Sequence, residues 1–147
     1  MKDHQGDVQL AQRLLIDSHE LYQVLGRGWE RRGNVLGDEA LVWFTAGEPP
    51  QLLLGVGPAD LVVARPRGIW DGPASLRYEP VNQQGFDLTD VQVRPEVLVE
   101  AAAAIVAHRR RTFRWCPTCR RVQPPEWFER SAERCMHCAE VVDGIVH

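Results

Sequence analysis

A chain of 147 residues with 44% hydrophobic content and a net charge of −3 can bury one ordinary globular core. No apolar run approaches the ~20 residues that cross a bilayer. The start, Met1 to Asp7, lacks an apolar signal segment, so the expectation is a soluble cytoplasmic protein with reduced thiols.

In chain order, the first expected element is a helix capped by Asp7. Its apolar stripe runs through Leu10, Ala11, Leu14, Leu15, Leu21, Tyr22, Leu25 and Trp29, and Gly33-Asn34 ends it. Asp17-Ser18-His19 has the residue types of a catalytic triad, but neighbours on one helix cannot face one another, so they read as a polar face. Gly26-x-Gly28 and Gly55-x-Gly57 are too short for a dinucleotide fingerprint and read as turns.

Short β-rich runs follow at residues 40–45, 51–55, 60–64 and 74–79. Gly47 to Pro50, Gly57-Pro58 and Asp71-Gly72-Pro73 punctuate them, which predicts an antiparallel meander. Trp70 falls in an expected loop, Arg67 to Gly72, as a lid over the core or an interaction anchor. Residues 85–93 read as loop with a short strand. Pro95 opens a second long helix, with Val97, Leu98, Ala101, Ala102, Ile105 and Val106 as its buried stripe.

That helix runs into an abrupt change of charge. Residues 1–107 hold nine basic and fifteen acidic residues, a balance of −6; residues 108–134 hold eight arginines and three glutamates, +5. A basic cluster of this kind serves either as a solvated helix end that compensates the dipole or as a phosphate-binding surface. The single lysine, Lys2, shows a chain-wide preference for arginine, so arginine content alone does not decide between them.

Next come Cys116-Pro117-Thr118-Cys119 and Cys135-Met136-His137-Cys138, two C-x-x-C pairs separated by fifteen residues. Two such knuckles can close a tetrahedron of thiolates around one Zn²⁺, a site with no open position and hence a structural one. Paired disulfides, a redox pair and an iron–sulfur cluster are the competing uses of the same residues. His137 lies between ligands and points outward or bonds a sulfur, and His108 sits beside the arginines. The tail Val141 to Val146 contains Asp143-Gly144 between β-branched residues, a hairpin signal that favours a zinc ribbon over a full treble clef.

The stretch from Cys116 through Pro125, Trp127 and Phe128 to Cys138 resembles zinc-ribbon and treble-clef fingers, in particular the non-catalytic finger of phage recombination-endonuclease (HNH) relatives. The resemblance covers about twenty-five residues. It implies that Pro125 shapes a turn and that Trp127 or Phe128 packs beside the metal. The His-Asn-His set of HNH catalysis has no counterpart after Cys138.

The expected architecture is α+β. Residues 1–112 form a small antiparallel sheet with two packing helices, and residues 113–147 form a four-cysteine, zinc-ribbon-like finger. The leading functional expectation is a non-enzymatic, nucleic-acid-associated protein. Arg111, Arg114, Arg120, Arg121 and Arg130 would meet phosphates, with Trp115 or Trp127 for base stacking. A protein-interaction adaptor, docking through the finger or the acidic domain, is the alternative. An enzyme whose site residues are scattered in sequence is the third class.

Overall fold

Period-two alternation in the middle of the chain builds the frame. The computed structural model describes residues 5–47, 49–72, 75–128 and 133–138. Five strands, β1 (Trp29–Arg31), β2 (Val42–Ala46), β3 (Leu52–Val56), β4 (Asp60–Trp70) and β5 (Leu76–Asp87), form an antiparallel meander in the order β1-β2-β3-β4-β5. Phe44, Leu52, Leu54, Val56, Leu61 and Val63 point to one face and Trp43, Leu53 and Ala64 to the other. Both faces are covered, so β3 is buried along its whole length.

The first face carries the helices. The architecture is α+β as expected, but with more helices than two: α1 (Gln5–Leu14), α2 (Ser18–Leu25), α3 (Leu88–Val93) and α4 (Pro95–Arg111), plus a 3₁₀ turn at Pro125–Trp127. The single helix expected over Asp7 to Trp29 breaks at Leu15, which takes a left-handed φ of 60°. There Ile16 N–H donates to Ala11 O and Leu15 N–H to Gln12 O, the paired bonds of a Schellman stop. Leu15 is consequently exposed, and Trp29 starts β1. Asp7 lies inside the first turn of α1, buried. Its carboxylate accepts from Trp29 N–H at 2.7 Å and Gly28 N–H at 3.3 Å, tying α1 to β1 instead of capping α1. Asp17 caps α2 by accepting from Glu20 N–H.

Residues 85–93 also differ from expectation. β5 continues to Asp87, which accepts from Thr89 N–H and starts α3. On α4 the buried stripe is Leu98, Ala102, Ile105 and Arg109, at helical spacing, with Ala101 and Val106 packed beside it. Val97, expected in that stripe, is exposed. α4 lies across β4 and β3.

The second face is closed by the loop after β1. Trp43 sits where a side chain at Gly55 would clash, because a Cβ there would stand 2.9 Å from the indole. Residues 34–36 run beside β5, with Leu36 N–H donating to Tyr78 O and Tyr78 N–H to Asn34 O. β4 and β5 are far longer than expected. Beyond the bulge at Val63/Arg65 they leave β3 behind and carry Trp70, placed by sequence in a loop, to the end of a paired strand. Pro66 and Pro80 face each other in this extension, and β4 there has lost its β3 neighbour, where a missing donor is tolerated.

Candidate metal centre

The finger starts where α4 stops. Thr112 Oγ1 donates to Arg109 O and closes the helix. β6 (Arg114–Cys116) then pairs with β7 (Arg121–Gln123) in antiparallel register, Trp115 opposite Val122 and Cys116 opposite Arg121. The knuckle between them is closed by Arg120 N–H donating to Cys116 O at 2.9 Å, with Arg120 at a left-handed φ of 55°. Pro125 opens the 3₁₀ turn, as the finger resemblance implied. The second pair enters on a helical turn at Met136–Cys138. The tail hairpin expected over Val141 to Val146 lies outside the described residues.

The four sulfurs of Cys116, Cys119, Cys135 and Cys138 lie within 4.8 Å of one another, and none is in a disulfide. Three of the cysteines are buried and Cys119 is half-buried. Phe128 completes the cluster, so of the two aromatics expected beside the metal it is Phe128 that packs there, while Trp127 is exposed. Cys135 N–H donates to Cys116 Sγ at 3.3 Å, and Gln123 Nε2 donates to Cys119 Sγ at 3.6 Å. Such donors favour thiolates. Burial raises the Cys116 thiol, yet backbone donors from Cys119, Cys135 and Thr118 outweigh it and bring it down to about 6. The Gln123 bond lowers Cys119. Burial, followed by hydrogen bonds with the neighbouring thiols, pushes Cys138 up to about 12. Four sulfurs at this spacing can hold one metal ion, and an all-thiolate set is soft, suited to zinc or iron–sulfur and unsuited to calcium or magnesium.

Around this cluster the expected nucleic-acid contacts divide. Arg111, Arg114, Arg120, Arg121, Trp115 and Trp127 are all exposed. The Arg114 guanidinium stacks over the Phe128 ring, 4.3 Å from its centroid. Strand alternation puts Arg114, Cys116, Arg121 and Gln123 on the metal side of the hairpin and Trp115 with Val122 on the other. Arg130 lies outside the described residues. His108 and His137 are exposed, and His19 bonds Gln23 at 3.2 Å on the polar side of α2.

Sequence reasoning missed the joint between finger and sheet. Arg109, grouped by sequence with the basic surface, is 1% exposed. Its guanidinium forms a two-pronged pair with Glu126, at 3.0 and 2.5 Å, and its Nε donates to Pro50 O. Glu126 O accepts from Trp70 Nε1 at 2.7 Å. Gly68 permits the contact, since a Cβ there would stand 2.5 Å from Glu126 Cβ. The legible signal was Glu126 itself, the only acidic residue from 101 to 128, in the middle of an arginine-rich stretch.

No helix among the described residues is long and apolar enough to cross a membrane. No protein-family model matches this chain, and neither does any curated protein or solved structure, so its function is read from its own geometry.

Proposed function

We propose that the chain is a non-enzymatic zinc-binding accessory protein of a reducing compartment, and that its finger docks on nucleic acid. Four converging cysteines support a closed four-thiolate zinc site, a staple with no coordination position left for substrate. The observation that carries the docking reading is Trp115, 57% exposed on a hairpin that carries exposed Arg114, Arg120 and Arg121, with exposed Arg111 at the end of α4 just before it. The ring offers a stacking surface on one face, and a single strand that crosses the hairpin edge would bring its phosphates to Arg114 and Arg121 on the other. Arg120 adds weight. It occupies a left-handed position where glycine is the unstrained residue, so its side chain is kept at a conformational cost.

Binding of this kind is electrostatic and weakly sequence-selective. With about four phosphates neutralised, log K falls against log salt with a slope of roughly −3 to −4. The test is titration of labelled single- and double-stranded oligonucleotides with the zinc-loaded chain at low and physiological salt. Arg120→Glu with Arg121→Glu weakens binding and leaves the zinc in place, since neither residue is a ligand. Trp115→Ala costs about 1–3 kcal/mol on single strands. The exposed apolar pair Trp115–Val122 also favours a second reading, an adaptor that anchors a partner protein. Absence of oligonucleotide binding at low salt decides for that one.

A further inference from the structure

We propose that the joint between sheet and finger is a second, separate anion site, which takes the phosphate of a nucleotide through Arg65. A cavity of about 550 Å³ opens there, walled by Arg65, Arg67 and Trp70 of β4, by Arg109 of α4, and by Glu126 and Phe128 of the finger. This size is ordinary for a small-ligand pocket. Arg109 is neutralised by Glu126, and Arg67 by Glu79 at 2.8 Å. Among the described residues no ion pair reaches Arg65, and its Nε is buried with no hydrogen-bond partner. A guanidinium cannot shed its proton to escape desolvation, and a buried donor without an acceptor is unfavourable. The cavity thus has one positive charge in excess and one unanswered donor on a rigid fork. A phosphate supplies the charge, and a small movement of the Arg65 side chain, whose Nε is enclosed in the wall, brings that donor to a phosphate oxygen. Trp70 stands at the rim, its N–H spent on Glu126 O and its half-exposed ring left for a flat group. The ligand class that joins a phosphate to a flat ring is a nucleotide, free or at the end of a strand. The site draws walls from both sheet and finger and so exists only when the two are docked.

The experiment is calorimetric titration of the zinc-loaded full chain at low ionic strength with adenosine 5′-monophosphate, inorganic phosphate and adenosine. The nucleotide binds, adenosine binds at least tenfold more weakly, and Arg65→Met removes nucleotide binding. Arg65→Met without ligand melts at or above the wild-type temperature, because an unanswered charge has been removed. Should that variant fail to fold, Arg65→Lys keeps the charge but lacks the Nε donor and weakens the nucleotide at least tenfold. A 5′-phosphorylated oligonucleotide added to the Arg120→Glu, Arg121→Glu chain separates the sources: phosphate-dependent binding points to a strand end, and binding of the mononucleotide alone points to a free nucleotide. Loss of oligonucleotide affinity in that double variant, with the mononucleotide still bound, leaves this site standing whatever becomes of the hairpin surface. No heat with millimolar nucleotide, or equal binding by the wild type and Arg65→Met, overturns the proposal.

Discussion

Glu126 is fixed at both ends, its carboxylate by Arg109 and its carbonyl by Trp70. The carboxylate pair is 1% exposed on both sides, so solvent hardly screens it. A buried pair of this geometry contributes little net stability over a well-packed apolar substitute, but breaking one partner strands a charge at a cost of about 3–5 kcal/mol. Glu126→Ala is therefore expected to lower stability by that order, measured by urea unfolding. The double change Arg109→Met with Glu126→Leu is expected to recover most of it. Equal loss in the single and double variants would contradict the stranded-charge account.

The cysteines give a second prediction at this scale. A metal needs all four as thiolates. In the metal-free finger Cys116 titrates at about 6, whereas Cys138 is held protonated up to about 12. At neutral pH, metal entry must displace the Cys138 proton; below about 6 it must displace that of Cys116 as well. Affinity therefore falls as pH falls, and falls more steeply once Cys116 is protonated. Competition against a chromophoric chelator across neutral and mildly acidic pH measures this, and a flat profile would refute it.

Among the elements, α1 shows how a local signal can be hidden. A Schellman stop ordinarily advertises itself by glycine, and here Leu15 holds the left-handed position. Periodicity alone ran straight through it. Leu15→Gly is expected to stabilise the chain by about 1 kcal/mol, because it relieves the left-handed backbone and sacrifices only an exposed side chain. A lower melting temperature for Leu15→Gly would show that the leucine makes a contribution its exposed position does not reveal.

The meander and the Pro95 helix were legible because apolar alternation and helical spacing are strong, local signals. The caps Asp17 and Asp87, each followed three residues on by an acid, were legible in principle and overlooked. The extension of β4 through Pro66 to Trp70 was not, because its polar, proline-bearing residues look like loop. Only pairing with β5 makes them a strand. The cysteine cluster was readable in full from spacing. The Arg109–Glu126 pair was marked only by an isolated acid among arginines, since burial of a charge depends on what the fold lays over it.

At the scale of the whole molecule, the expectation is one zinc per chain, with residues 1–112 able to persist without it. Metal analysis of the purified chain checks the first part. Cys119→Ser, or removal of zinc by a chelator, is expected to lose the finger while far-UV dichroism of the sheet and helices largely remains. Collapse of the whole spectrum would show a single inseparable unit.

The seating of Glu126 against Gly68, Trp70 and Arg109 carries one more consequence, reciprocity between metal and sheet. If docking favours the closed finger by some factor, the closed finger favours the docked sheet by the same factor, because a coupling free energy belongs to both equilibria. Chelation should then speed amide exchange at the far ends of β4 and α4, in segments that supply no sulfur. Conversely, Gly68→Val, a change that touches no ligand, should loosen the grip on the metal to the same degree. A metal held by the four sulfurs would thus report on the packing of a strand it never contacts.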